Sequence, residues 1–187
     1  MKIKLLLFAL VLLVFNVHGQ GKYFTLTKVG FINASDSSKN YVVLPIDGKT
    51  QKELYSIFLN KLNGLFVSPK DVLNPVESES ISVNGLAKRQ VHDTMNTAYD
   101  LNYTLVFQFK DGKIRVDHPI INKMIYYGIS NYKEIYLNAG SNLFAGYTSI
   151  WNKKGLVKET AAKEELEYFF DAFIDELLNE SKKVNEW

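Results

Sequence analysis

The chain has 187 residues, 47% of them hydrophobic, with 22 basic side chains, 20 acidic side chains and no cysteine. This composition predicts a globular protein, and the lack of cysteine excludes disulfide bonds, thiolate metal sites and a lipid-modified N-terminal cysteine. The near balance of charge excludes a general attraction to polyanions.

The first residues have the pattern of an export signal. Two lysines precede an unbroken apolar run at 5–14, and residues 17–19 place small or tolerated side chains before a cleavage site. We predict a signal peptide at 1–19, cleaved before Gln20, and an exported protein that is periplasmic, at the cell surface or extracellular. The alternative is a membrane anchor, but a span needs about 20 apolar residues. We therefore expect no membrane span after cleavage, and the remaining chain has equal numbers of basic and acidic side chains.

Residues 20–39 predict an N-terminal linker with one strand. The strand candidate is Tyr23–Thr27, and the polar, turn-rich stretch Asn33–Asn40 follows it. We expect a single domain at 40–187 after this linker.

The stretch from 40 to 66 predicts a strand, a turn and a helix. Tyr41–Leu44 is apolar and β-branched, and Asp47-Gly48 has turn chemistry. Thr50-Gln51-Lys52-Glu53 fits a capping box, in which Thr50 and Glu53 each bond the other's backbone amide. The helix then presents a one-sided apolar stripe, formed by Leu54, Phe58, Leu62 and Leu65.

The next clear signal is an antiparallel hairpin between Leu101 and His118. Apolar and polar residues alternate on both sides of Asp111-Gly112, which favours a two-residue turn. Such a turn pairs Lys110 with Lys113, Phe109 with Ile114 and Phe107 with Val116, so the apolar faces of both strands coincide. Ile81–Gly85 alternates in the same way and predicts a further strand.

The remaining chain predicts a Tyr-rich insertion and a second helix. The insertion, at 120–154, is too long for a structureless loop in a compact domain, so we expect one or two short strands or a packed flap. Lys158–Lys183 has a broad apolar stripe with Lys and Glu opposite. The predicted fold is α+β, a curved antiparallel β-sheet with two helices packed on one face.

Three short motifs carry a resemblance to a known family. They are Asp47–Tyr55, Ser68–Val72 and the hairpin residues Phe107–Lys113. Together they resemble the exported bacterial domain of unknown function 4468 family, which has a fold like that of the TATA-binding protein (TBP). The resemblance covers about 40–118 and the last helix. It implies the order β-α-β-β-β-β-α and brings no catalytic or binding residues.

We do not expect nucleic acid as a partner, although the resemblance implies a TBP-like fold. An export signal separates the protein from DNA, and a net charge of zero after cleavage provides no surplus for phosphate binding. Fold alone does not assign function.

The ionisable residues predict neither a metal site nor a catalytic site. His92 and His118 each adjoin an aspartate, but neighbouring residues on a strand point to opposite faces, so a satisfied His118 at a strand end is the better interpretation. No Gly-x-Ser-x-Gly nucleophile motif is present. The carboxylates of the last helix, at Asp171 and Asp175 among others, are typical of a solvated helix surface. We predict no catalytic residues, no metal and no cofactor.

Aromatic side chains of the insertion are the candidate binding residues, because large amphipathic rings suit protein or glycan contact. They are Tyr126, Tyr127, Tyr132, Tyr136, Tyr147 and Trp151. The alternative is that these rings only cover the open face of the sheet. We predict a non-catalytic domain that binds an unknown protein or envelope component, with a small envelope hydrolase or a structural envelope component as the alternatives.

Overall fold

A computed structural model describes residues 21–128, 132–139 and 147–182, so the predicted signal peptide lies outside the described residues. The strands are β1 (Phe24–Thr27), β2 (Gly30–Asn33), β3 (Tyr41–Pro45), β4 (Leu73–Val76), β5 (Ser80–His92), β6 (Ala98–Lys110), β7 (Lys113–Asp117), β8 (Ile120–Tyr127), β9 (Tyr132–Asn138) and β10 (Tyr147–Trp151). The helices are α1 (Gln51–Leu65), α2 (Pro69–Val72) and α3 (Thr160–Lys182).

Strands β3 to β10 form one sheet around the long strand β6. The neighbours β10-β9-β8-β6-β5-β4 form one path, and β7 joins β6 to β3. All pairs in this sheet are antiparallel except β9–β10, which is parallel. The α+β class with a mainly antiparallel sheet is therefore confirmed.

Strands β7 and β8 run one after the other along the same edge of β6. Phe107 of β6 pairs with Val116 of β7, and Thr104 of β6 pairs with Ile120 of β8. Only His118 and Pro119 separate the two strands, and proline cannot donate to a ladder. The sheet edge divides at this break, because β3 adds to β7 while β9 adds to β8.

The β6–β7 hairpin has the predicted register. Lys110 pairs with Lys113 and Phe109 pairs with Ile114 across the two-residue turn. Gly112 has a φ of 71°, the left-handed conformation that glycine adopts without strain. Pattern and turn chemistry agree here, which is why a local signal was sufficient to set a register.

Both long helices lie on one face of the sheet and bury the core. The capping box of Thr50 and Glu53 at the start of α1 is confirmed. On α1, Phe58 packs edge-on against Phe107 and Phe109 of β6, with ring centroids 5.3 and 5.4 Å apart. The helices α1 and α3 also meet each other, and an ion pair joins Lys61 to Glu176 at 3.1 Å.

The N-terminal segment differs from the expected linker at 20–39. Strands β1 and β2 form a hairpin that packs on α3, and Phe24, Leu26 and Phe31 are buried in the common core. The ring of Phe31 meets Phe170 of α3 edge-on at 5.1 Å. The physical reason is the alternation Phe-Thr-Leu in β1, which places two apolar side chains on one side of the strand.

The Tyr-rich insertion at 120–154 extends the sheet with three strands, β8, β9 and β10, where one or two short strands or a flap were expected. The chain between the two long helices therefore forms more strands than the four that were predicted. Within the described ranges, no helix is both long and apolar enough to cross a membrane.

Candidate functional site on the open face of the sheet

The face of the sheet opposite the helices is exposed over much of its area. Along β6 the residues alternate: Leu101, Tyr103 and Leu105 are buried against the helices, while Asn102 and Thr104 are only half-buried on the other side. This second side, called here the open face, is where the alternation of a half-buried strand leaves side chains available for contact.

Three tyrosines lie together on the open face at β8 and β9, and we call them the tyrosine patch: Tyr127, Tyr132 and Tyr136. Tyr127 pairs directly with Tyr132 across the two strands, and Tyr136 lies two alternations further along β9. Their exposed fractions are 72%, 54% and 38%. Ile125 lies between them in register and is only 3% exposed, so the patch surrounds an apolar centre.

A polar contact orients Tyr136. The hydroxyl of Tyr136 donates to Oε2 of Glu134, at 2.8 Å, and Glu134 is the residue that pairs with Ile125. The patch thus combines apolar ring surface with phenol hydroxyls and a carboxylate. Such a mixture is typical of surfaces that contact other molecules.

Tyr126 and Trp151 do not belong to the patch. Tyr126 points to the helix side, where its ring meets Tyr99 at 6.4 Å. Trp151 is 6% exposed and belongs to the core. Tyr147 begins β10, and its side chain lies outside the described residues. Sequence proximity grouped Tyr126 with Tyr127, but successive residues of a strand face opposite sides.

A row of polar side chains crosses the open face beside the patch. Asn122 donates through Nδ2 to Oγ1 of Thr104 at 2.9 Å, and Thr104 donates to Oδ1 of Asn84 at 2.8 Å. Sequence reasoning did not identify this row. In the sequence, these residues are visible only as polar positions that alternate with apolar ones. The order of the strands in the sheet decides which of them become neighbours.

His92 and His118 lie in different surroundings. His92 contacts Glu165 of α3, with 3.0 Å between Nδ1 and Oε1, and its backbone N–H donates to the same carboxylate. His118 differs from the expected satisfied histidine, because its Nδ1 is buried without a hydrogen-bond partner in the described part of the chain. Among the described residues no group of three or more potential ligands could hold a metal ion.

The buried carboxylates are bound to backbone groups of the fold. Asp93 is 6% exposed and accepts from the amides of Met95 and Thr97 and from the hydroxyl of Tyr99, at 2.8–2.9 Å. Burial raises the pKa of Tyr99, and the Asp93 carboxylate raises it further. These groups close the β5–β6 turn, which is a structural role.

Comparison with solved structures shows the fold. A crystal structure of a TBP-like protein from Parabacteroides distasonis ATCC 8503 matches with a TM-score of 0.57 and 12% sequence identity, over 78% of this chain and 92% of that chain. No family model matches the chain, and a search of curated proteins finds no match. The chain therefore has a TBP-like α+β fold, and at this identity the similarity extends to the fold alone.

Proposed function

We propose that the protein is exported and acts as a non-catalytic binding domain in the periplasm or at the cell surface, where the tyrosine patch contacts a protein or another envelope component. The observation that carries this proposal is the exposure of Tyr127, Tyr132 and Tyr136 around the buried Ile125. Contiguous exposed apolar surface marks interaction sites, and tyrosine is enriched among the residues that dominate binding energy at interfaces.

The geometry of the patch favours a contact surface over a simple cover for the sheet. A ring that only covered the open face would lose most of its own exposure by packing down on the sheet. Tyr127 instead keeps 72% of its surface exposed. Tyr and Trp supply much of the binding energy at protein interfaces, because a rigid ring loses little conformational entropy when it becomes buried.

The binding proposal is tested with site-specific photo-crosslinking in intact Gram-negative cells. A photoreactive phenylalanine at Tyr132 is expected to give a discrete adduct, and Tyr127→Ala or Tyr136→Ala is expected to abolish it with an unchanged melting temperature. Tyr168→Ala is the matched control, since Tyr168 lies on α3 and is 74% exposed. An adduct that survives both patch substitutions contradicts the proposal, and loss of folding in both variants shows that the rings are structural.

Export is supported by the charge and hydropathy pattern of residues 1–19. After fractionation of expressing cells, the mature protein is expected outside the cytoplasm with Gln20 as its first residue. Leu10→Arg interrupts the apolar run and is expected to keep the precursor in the cytoplasm. Uncleaved protein outside the cytoplasm would contradict cleavage, and retention of the parent protein in the cytoplasm, like that of Leu10→Arg, would contradict export.

Membership of the exported domain of unknown function 4468 family is part of the same proposal. Its support is that two of the motifs meet in space: Oδ1 of Asp111 accepts from the amide of Gln51 at 2.7 Å, and the amide of Gly112 donates to the carbonyl of Lys49 at 2.8 Å. Residues of both motifs therefore take part in one contact, in which the hairpin turn docks against the start of α1.

A further inference from the structure

A cavity of about 240 Å³ lies on the open face at the end opposite the tyrosine patch. Strands β3, β7 and β6 form its floor, and the lining residues come in pairs from each strand: Tyr41, Val43, Gln108, Lys110, Lys113 and Arg115. The strand register explains this convergence, because Val43 pairs with Arg115 and Arg115 pairs with Gln108. We call this cavity the basic pocket.

Two lysines of the basic pocket oppose each other directly. Lys110 pairs with Lys113 across the hairpin turn, and like charges in this position destabilise a strand pair. Neither lysine forms an ion pair within the described part of the chain. The adjacent Asp111 carboxylate is directed to the amide of Gln51 instead. The fold therefore retains an unfavourable pair of cations that an anion would relieve.

The third cation of the pocket is held in place from two sides. Nε of Arg115 donates to Oδ1 of Asp117 at 2.7 Å, and the guanidinium lies 4.0 Å from the centroid of the Tyr41 ring. Gln108 fixes the same carboxylate by donating to its other oxygen at 2.9 Å. Because Arg115 is already oriented, it loses little entropy on meeting a ligand, and its remaining N–H groups can still donate.

We propose that the basic pocket binds the phosphate group of a small soluble phosphate monoester, such as a sugar phosphate. Three cations and the one carboxylate of Asp117 give the site a net charge of +2, which complements the charge of about −1.5 to −2 on a phosphate monoester at pH 7. The cavity is smaller than the roughly 300–1,000 Å³ of pockets for drug-sized ligands, which suits a compact molecule. This site is independent of the tyrosine patch and of its partner.

The test is an NMR titration of the mature, isotope-labelled protein with glucose 6-phosphate, with glucose and with sodium chloride at matched ionic strength. Saturable amide shifts confined to β3, β7 and the C-terminal half of β6 are expected with glucose 6-phosphate alone. Lys113→Gln is expected to weaken binding at least tenfold. Lys123→Gln is the matched control, because Lys123 is an exposed lysine of β8 on the same open face, and it should leave the affinity within twofold of the parent.

A second measurement separates lost binding from lost folding. Lys113→Gln removes the like-charge pair with Lys110, so at low salt and without ligand its melting temperature is expected to rise. Shifts that also occur with glucose or sodium chloride overturn the proposal, as does equal weakening by Lys123→Gln. Binding to phosphatidylglycerol vesicles without any response to glucose 6-phosphate overturns it as well, because a lipid phosphodiester is then the ligand.

Discussion

Gly85 of β5 shows how closely the two longest strands are fitted. It pairs directly with Tyr103 of β6, and a Cβ added at Gly85 would lie 2.6 Å from Cε1 of the Tyr103 ring. That ring also packs edge-on against Phe169 and Phe170 of α3, with centroids 5.3 and 5.4 Å away. Burial raises the pKa of Tyr103 to about 12. A methyl group at residue 85 would therefore clash with the Tyr103 ring unless the ring shifted, so glycine is the residue that fits this position.

Gly85→Ala is therefore expected to destabilise the protein by roughly 1–3 kcal/mol, the usual cost of an added group in a packed core. Urea denaturation followed by circular dichroism measures the change. Leu86→Ala is the neighbouring control, because Leu86 is half-exposed and surface changes cost about 0.5 kcal/mol or less. A Gly85→Ala protein as stable as the parent would show that the ring can shift.

A second single-residue effect depends on pH. The amide of Thr50 donates to Oε2 of Glu53 at 2.7 Å, and this hydrogen bond lowers the pKa of the Glu53 carboxyl below its ordinary value. The unfolded chain then binds more protons than the folded one between the two pKa values. The stabilisation is present above the unfolded pKa, about 4.3, and is lost as pH falls through the folded pKa.

Glu53→Gln is expected to lower the melting temperature at pH 7 and to have a much smaller effect at pH 3. The amide of Gln can still accept from Thr50, so the substitution removes mainly the charge of the capping box. Thermal unfolding of both proteins at the two pH values measures the difference. An equally large difference at pH 3 would show that the carboxylate acts through shape and not through its charge.

At the level of elements, α3 holds the N-terminal hairpin with a row of carboxylates at four-residue spacing. Oε1 of Glu167 accepts from the amide of Leu26 at 2.7 Å, and Asp171 accepts from the amide of Tyr23 at 3.0 Å. Asp175 accepts from the Tyr23 hydroxyl at 2.5 Å. Asp171 is half-buried in this contact, and burial raises the pKa of its carboxyl.

Asp171 and Asp175 were expected to be solvated helix surface, and for these two carboxylates the expectation was wrong, whereas Glu164 of the same group is exposed. The helix pattern shows which residues share a face, but the partners of Glu167 and Asp171 lie about 140 positions earlier in the chain. By contrast, the capping box of α1 and the β6–β7 turn depend on residues within a few positions of each other. Local signals therefore predicted those elements correctly, while the docking of the hairpin needed the folded chain.

Glu167→Ala is expected to cost about 3–5 kcal/mol, because it leaves the buried Leu26 amide without its acceptor and removes a carboxylate that Lys163 contacts at 2.7 Å. Hydrogen exchange at the Leu26 amide should become faster, which locates the effect in the hairpin. Glu164→Ala is the control on the same helix, since Glu164 is exposed. Equal stability of the two variants would exclude a role for Glu167 in holding the hairpin.

At the level of the whole molecule, the break at His118 and Pro119 divides the open face between two features. The basic pocket lies where β3 adds to β7, and the tyrosine patch lies where β9 adds to β8. The sequence pattern predicted a sheet with helices on one face, but it did not predict that the other face is divided into two regions. The tyrosines could be recognised as candidates from composition, whereas Arg115 and Lys113 join Tyr41 only through β3–β7 pairings that span 68 to 76 positions of the chain.

The burial of the N-terminal hairpin in the common core predicts that residues 20–39 are needed for folding. Phe24, Leu26 and Phe31 are each at most 2% exposed, and burial of a large apolar side chain contributes roughly 1.5–3 kcal/mol. Three such residues contribute about 5–9 kcal/mol, which is comparable to the entire stability of a typical domain, about 5–15 kcal/mol. A chain that begins at residue 40 is therefore expected to lose its cooperative thermal transition and its near-ultraviolet circular dichroism.

The matched comparison is a chain that begins at Gln20, which should unfold cooperatively. Phe31→Ala in that chain should lower stability by roughly 3–5 kcal/mol, because its ring meets Phe170 of α3. This variant separates the loss of core packing from the loss of chain length. If the chain that begins at residue 40 melted cooperatively within a few degrees of the longer chain, the hairpin would be an appendage, and the domain would begin at β3.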